Sequence, residues 1–249
     1  MVSLIVGTCG FQRARKLHYE NMEALEVQQT FYDPRMGEAF AAWRREAPES
    51  FEFTVKAWML VSHEYNRNLW ARLRQPVTGD ASLFGHLKVN EATLWAWNVT
   101  LEAAGILKAR VIVVQTPPSF RYSRANFEGA IKFFNTVERK GRLIVWEPRG
   151  DWWDHFESLK AIASESGVLI GGDVLRDRMP PRDQDILYAR LHGLGGGEVN
   201  YKYKYTEEDL VRLAAIVEDF GAKEAYIMFN NVYSYDDALR FKKLIARSG

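Results

Sequence analysis

Residues 143–153 read LIVWEPRGDWW. Four apolar residues, Leu143 to Trp146, suit a buried strand, and the run then stops at Glu147, Pro148 and Arg149. Charge at the end of a strand marks either a solvated turn or the wall of a pocket. The rest of the chain separates the two, because comparable endings recur along it.

Short β-branched or aromatic runs occur at 2–6, 24–30, 51–57, 110–115, 142–147, 167–173, 186–191 and 224–229. Between them lie segments of helical periodicity such as GEAFAAWRREA, NFEGAIKFFNTVERK, DHFESLKAIASES and TEEDLVRLAAIVEDF. The last carries a capping Thr206 followed by acids, the signature of a helix start. Strand and helix alternating throughout predict βα units and a parallel sheet. Eight units in 249 residues predict an α/β fold of the TIM (β/α)8 barrel type rather than an open doubly wound sheet. Residues 63–107, with Pro76 and Gly79 between two helical stretches, are too long for one crossover and predict a helical excursion after the third strand. No Ser/Gly linker or internal repeat interrupts the chain, which predicts a single domain over 1–249.

In such a fold the pocket forms at the C-terminal ends of the strands. Period-two alternation places Glu26, Gln28 and Thr30 on one face of the second strand, and Thr54 and Lys56 on one face of the third. Gln115 ends the fourth, Glu147 and Arg149 the fifth, Asp173 the sixth, Arg190 and His192 the seventh, and Asn230 and Asn231 the eighth. Seven apolar runs finishing in charged or amide side chains point to one address. The first strand ends in GTCG, where glycines would let a ligand approach the backbone.

Formal net charge is +1, with 47% hydrophobic and 26% charged residues. Nothing global demands nucleic acid or membrane, and no segment nears the ~18 apolar residues of a spanning helix. Cys9 is the single cysteine, which excludes an internal disulfide or a Cys-rich metal site and predicts a cytoplasmic protein. The opening VSLIVG is too short for a secretory signal and lacks its positive flank and cleavage site.

Cations gather in the segments that follow strand ends: Arg13, Arg15, Lys16 and His18, then Arg121 and Arg124, then Arg176, Arg178 and Arg182, then Lys202 and Lys204. Asp33, Asp151, Asp177 and Glu198 dilute them. The pattern predicts steering of an anionic small molecule, and with the tyrosines and tryptophans it would suit a nucleotide or single-stranded nucleic acid.

The motifs Gly7-Thr8-Cys9-Gly10-Phe11, Leu25-Glu26-Val27-Gln28 with Phe31-Tyr32, Lys56 with His63, Gln115-Thr116-Pro117-Pro118, Glu147-Pro148-Arg149 with Trp152, Arg190-Leu191-His192-Gly193 and Phe229-Asn230-Asn231 run over the whole length. Together they resemble the DUF72, or YecE-like, family. The resemblance implies a TIM-barrel-like fold and brings no mechanism with it. Cys9 and Phe11 stand where the family has Ser and Trp, Gln28 where it has Asn, Ser62 before His63 where it has Thr, and Pro148 where it has an apolar residue. Gln28, a longer amide, would alter which ligand fits.

These residues support an enzyme hydrolysing a phosphorylated or nucleotide-like anionic substrate. Glu26 or Glu147 would serve as base and His192 as acid, with Lys56, Arg149 and Arg190 stabilising charge and Gln115 and Asn230 orienting. Gln28, Tyr32, His63, Trp152, Asp173 and Asn231 complete the expected substrate wall, with Trp152 or Trp153 as a stacking face. Against this stand buried ion pairs of Glu26 with Lys56 and of Glu147 with Arg149 that serve structure alone. Glu26, Glu147, Asp173 and His192 would also suit a divalent metal, although no His-x-His or His-Glu-x-x-His spacing supports one. The run Gly193–Gly197 lacks the P-loop pattern and reads instead as a flexible lid carrying Tyr201, Lys202, Tyr203, Lys204 and Tyr205. Two other functions fit the same residues: a non-catalytic binder of nucleotide or single-stranded nucleic acid, and a sugar-processing enzyme with Glu26 and Glu147 as its acid/base pair. The oligomeric state leaves no mark in the sequence.

Overall fold

The computed structural model describes residues 2–74 and 76–248. Along the chain come β1 (Ser3–Cys9), α1 (Arg15–Asn21), β2 (Ala24–Val27), α2 (Gln29–Tyr32), α3 (Gly37–Glu46), β3 (Glu52–Lys56), α4 (Met59–Ser62), α5 (Arg67–Trp70), α6 (Glu91–Ile106), β4 (Val111–Gln115), α7 (Arg124–Thr136), β5 (Leu143–Glu147), α8 (Phe156–Ser166), β6 (Leu169–Ile170), β7 (Ile186–Leu191), α9 (Glu207–Phe220), β8 (Glu224–Phe229) and α10 (Ser234–Ser248). The strands form one eight-stranded sheet in the order β6-β5-β4-β3-β2-β1-β8-β7, and the pairings within it are parallel. This is the TIM-type (β/α)8 fold that the alternation predicts. Among the described residues no helix is long and apolar enough to cross a membrane.

By internal contacts the chain falls into two compact units. Unit one is Met1–Glu26, Ala47–Glu52 and Gly171–Gly249, and unit two is Val27–Glu46 and Phe53–Ile170. Neither is a continuous stretch of chain.

In unit one, β1 lies between β8 and the end of β2, with Ile5 opposite Tyr226 and Cys9 opposite Glu26. Ala225, Ile227 and Phe229 of β8 and Leu187, Ala189 and Leu191 of β7 are fully buried, as parallel strands covered on both faces require. Leu210, Leu213 and Phe241 from α9 and α10 complete that core. A capping box starts α9: Thr206 accepts from the Asp209 amide at 3.2 Å and Asp209 accepts from the Thr206 amide at 2.8 Å. It satisfies two donors that a helix start leaves open.

In unit two, β4 pairs with β3 and β5 so that Lys56 stands opposite Val113 and Gln115 opposite Glu147. Val111 to Val114, Val145 and Trp146 are fully buried. The excursion after β3 consists of α4, α5 and a short 3-10 turn at Ala81–Leu83 before α6. Asn90 caps α6 by accepting from the Thr93 amide at 2.9 Å.

Three boundaries differ from the sequence reading. First, β1 runs on to Cys9. Second, β2 stops at Val27, because Gln28 already has helical backbone angles (φ −80, ψ −22) and leads into α2, so Gln28 and Thr30 do not continue the alternation begun at Glu26. Third, β6 keeps only Leu169 and Ile170 of the expected 167–173. Beyond it, in unit one, Gly172 bridges Ala189 of β7.

Candidate functional site

The strand ends of unit one pair their charges internally. Arg190 donates from Nη2 to Glu26 Oε1 at 2.7 Å and from Nε to Oε2 at 2.9 Å, and neither side chain is exposed at all. This fork-on-carboxylate geometry is the strong form of the interaction. The Tyr188 hydroxyl donates to the same Oε2 at 3.1 Å. Tyr188 stacks on Tyr226 at 5.3 Å, and Tyr226 donates to Glu52 Oε2 at 2.5 Å. Tyr188 precedes Arg190 by two residues on β7, so strand periodicity could have found it. Arginine thus holds the carboxylate that the sequence offers as a base.

Asp173 and His192 form a second buried group in this unit. Asp173 Oδ1 accepts from the Leu175 amide at 3.3 Å and Oδ2 from the His192 amide at 2.8 Å. His192 is fully buried, with Nδ1 3.6 Å from Asp173 Oδ2. Arg176 lies 3.8 Å from the same carboxylate and donates to the carbonyls of Gly193 at 2.5 Å, Gly197 at 2.8 Å and Gly195 at 2.9 Å. One guanidinium therefore gathers the glycine run, which the sequence reads as a flexible lid. Gly193 is required where it stands, because at φ +79 a Cβ would lie 2.0 Å from the Asn200 carbonyl oxygen. At the end of β8, Asn230 is half-buried and Asn231 buried, and Asn231 Nδ2 donates to the Tyr203 carbonyl at 2.7 Å and to Asp237 Oδ2 at 2.8 Å. Desolvation pushes the Asp237 carboxyl up from its ordinary range.

Unit two arranges its charges differently. Arg149 Nη2 lies 2.6 Å from Glu147 Oε1, with both side chains 3% exposed. The Lys56 ammonium sits 4.0 Å from the centre of the Phe31 ring, a cation–π contact. His63 meets the same ring edge-on at 5.0 Å, and its Nδ1 is 2.8 Å from Ser62 Oγ. Burial first, then the charges of Lys56, His86 and Arg149, push the His63 imidazole down to about 3. The imidazole is neutral at physiological pH and stands among cations. Arg72 donates to the Tyr32 hydroxyl at 2.7 Å and lies over the Tyr32 ring; no sequence signal singles out Arg72. Gln28 and Gln115 are half-buried.

Trp152 takes another role than the stacking face expected of it. It is fully buried, donates its indole N–H to the Phe120 carbonyl at 2.5 Å, stacks on Phe120 and meets Tyr122 and Trp146 edge-on. Its rings are part of the core behind β5. Trp153, half-buried, donates to the Pro148 carbonyl at 3.0 Å.

Many of the loop cations are engaged within their own unit. Arg13 pairs with Asp236, Arg121 with Asp151, Arg124 with Glu128, Arg178 with Glu198 and Arg182 with Asp219. Among the described residues no group of three or more His, Cys, Asp or Glu is placed to hold a metal ion.

No curated protein is similar to the chain. Its fold is similar to that of a DUF72 family protein from Thermotoga maritima (TM-score 0.70, 23% identity, 98% of this chain and 99% of the other). A DUF72 family protein from Enterococcus faecalis is similar too (0.72, 18%, covering 99% and 98%). So is endonuclease IV from Thermus thermophilus (0.52, 14%, covering 99% and 100%). The family model described as protein of unknown function DUF72 matches residues 10–249. With that match over nearly all of its length, the chain belongs to the DUF72 family.

Proposed function

We propose that the chain is a cytoplasmic enzyme that hydrolyses a phosphorylated or nucleotide-like anionic substrate, with its reactive wall in unit two. The observation that carries this reading is the grouping of Lys56, Arg149 and a neutral His63 around Phe31 and the end of β5. A phosphoester would bring negative charge to a wall that carries two cations, Lys56 and Arg149, beside the Glu147 carboxylate. Glu147 would hold the Arg149 guanidinium in place, and Gln115, opposite it on β4, would orient the ligand. The likeness to an endonuclease agrees with a phosphoester substrate.

The proton chemistry follows from the charges. A bound dianion offsets the repulsion by Lys56 and Arg149 that helps keep His63 unprotonated, so the imidazole becomes more basic as substrate arrives. It then takes a proton from the attacking water while the water oxygen bonds to phosphorus. The ester P–O bond breaks, and the proton passes to the leaving oxygen. Glu26 and His192, the other candidates for proton transfer, act in this reading as buried support.

Hydrolysis of p-nitrophenyl phosphate and of nucleoside monophosphates tests the assignment. His63→Gln is expected to lower kcat by about 100-fold or more with little change in KM. Lys56→Met is expected to raise KM by about 10-fold. If both variants keep every phosphoesterase activity of the parent protein, or the parent has none, the reading fails.

A further inference from the structure

Unit one carries an exposed aromatic and basic surface outside the wall described above. After β7 the chain reads Tyr201-Lys202-Tyr203-Lys204-Tyr205, and its later tyrosines are anchored inward. The buried Tyr205 accepts at its hydroxyl from the Gly193 amide at 2.7 Å and at its carbonyl from Arg240 at 2.6 Å, and its amide donates to Asp237 at 3.3 Å. Tyr203 donates its hydroxyl to Asp209 at 2.6 Å and gives its carbonyl to Asn231.

These anchors turn the intervening side chains outward. Lys202 and Lys204 are exposed, and Tyr201 is 47% exposed. The Val232 amide donates to the Tyr201 carbonyl at 2.8 Å, which brings Val232 and Tyr233, 56% and 40% exposed, alongside. The Lys204 ammonium lies 5.6 Å from the centre of the Tyr233 ring.

We propose that this surface binds single-stranded nucleic acid, with bases stacking on Tyr201 and Tyr233 and backbone phosphates meeting Lys202 and Lys204. Stacking on aromatic side chains beside lysines is how unpaired strands are held without sequence preference. Lysine is depleted at protein–protein interfaces, so the charge argues for a polyanion over a protein partner. A duplex hides its base faces and would not use the rings. Of the nearby acids, Asp237 and Glu207 face Arg240 and Asp236 faces Arg13, while Asp209 accepts from Tyr203 and Glu208 stands exposed in the first turn of α9. The surface is ordered by hydrogen bonds made on folding, so the strand meets rings already in place. The inference rests on unit one alone and stands apart from phosphoester hydrolysis.

Fluorescence anisotropy with a labelled oligothymidylate of about twelve nucleotides tests it on the full chain. Affinity is expected to fall steeply between about 50 and 200 mM salt. Tyr201→Ala and Tyr233→Ala are each expected to weaken binding by about 5-fold or more, while Tyr201→Phe and Tyr233→Phe keep it. Replacing Lys202 and Lys204 together by Gln should lower the salt slope by about 1.4, and Lys160→Gln in unit two should leave it unchanged. Absence of binding at low salt, Ala variants within about 2-fold of the parent, or a duplex binding as tightly as the single strand would each overturn the proposal. p-Nitrophenyl phosphate hydrolysis by the same variants separates the two readings, because Tyr201→Ala is expected to leave it at the parent's level whether or not that level is zero.

Discussion

Glu26 and Arg190 in unit one meet through two contacts of 2.7 and 2.9 Å with no exposure on either side, whereas in unit two the Glu147–Arg149 pair at 2.6 Å shares its surroundings with Lys56 and a neutral His63. Both units end their strands in the same residue types. In the first, fork and carboxylate match in number and geometry, and the pair serves as a strut. In the second, two cations stand beside one carboxylate and a neutral imidazole, the grouping on which the proposed phosphoester wall rests.

Variants can break this contrast. The largest effect is expected for Arg190→Met, which leaves the Glu26 carboxylate buried without its guanidinium and should cost about 3 to 5 kcal/mol, read as a shift in the urea midpoint. Phosphate affinity of the fraction that remains folded should stay at the parent's level. A loss of phosphate binding larger than the loss of folded protein would erase the distinction between the units.

The next effect depends on pH. His63 titrates at about 3 in the folded chain against an ordinary 6.5, so the unfolded chain takes up the proton first. The contribution is complete above pH 6.5 and declines as pH falls toward 3. At pH 5 the loss attributable to His63 is about 2 kcal/mol, and His63→Gln should narrow the gap between urea stabilities at pH 7 and pH 5 by that amount. His18 and His86 are also held down, chiefly by burial, and should leave a residual slope. An unchanged gap in His63→Gln would remove the neutral imidazole from the picture of unit two.

A smaller effect is expected for Arg176→Met. The guanidinium is partly exposed and holds three glycine carbonyls, so its loss should cost about 1 to 2 kcal/mol. Oligothymidylate affinity should fall with it, because Gly193, at one end of the gathered run, also holds the Tyr205 hydroxyl. Retained affinity would mean that the Tyr-Lys surface is ordered without the glycine run.

Much of the fold was legible because buried parallel strands write continuous apolar runs, as Val111 to Val114 and Leu143 to Trp146 do, and each run ended where the structure ends it within a few residues. Gln115 and Glu147 close their strands as read, Arg190 lies one residue before the end of β7, and Arg149 and His192 stand just past the ends of β5 and β7. The end of β2 misled because Gln28-Gln29-Thr30 suits a helical turn as readily as an alternating strand. Asp173 was read as a strand end, but the two glycines before it leave only a bridge. Partners are harder to see than positions: Arg190 and Glu26 are 164 residues apart, and no local pattern marks them as a pair. Trp152 follows Arg149 and precedes Trp153, a setting that suggests an outward ring, yet the turn after Arg149 buries it against Phe120. The alternation of Tyr201 to Tyr205 was legible as period two, while its inward anchors, Asp209, Asn231 and Arg240, come from later elements.

The grip of Arg176 on Gly193, Gly195 and Gly197 has a consequence for how that run answers different probes. A protease needs an extended segment that can be drawn into its cleft, and a chain wound on a guanidinium resists it. Amide exchange reports N–H groups, whereas Arg176 holds carbonyl oxygens. Limited proteolysis should therefore register the ordering of Gly195 and Gly197 far more clearly than deuterium uptake does, and fast uptake at those two would be no sign of a loose loop, whereas the Gly193 amide is held by the Tyr205 hydroxyl.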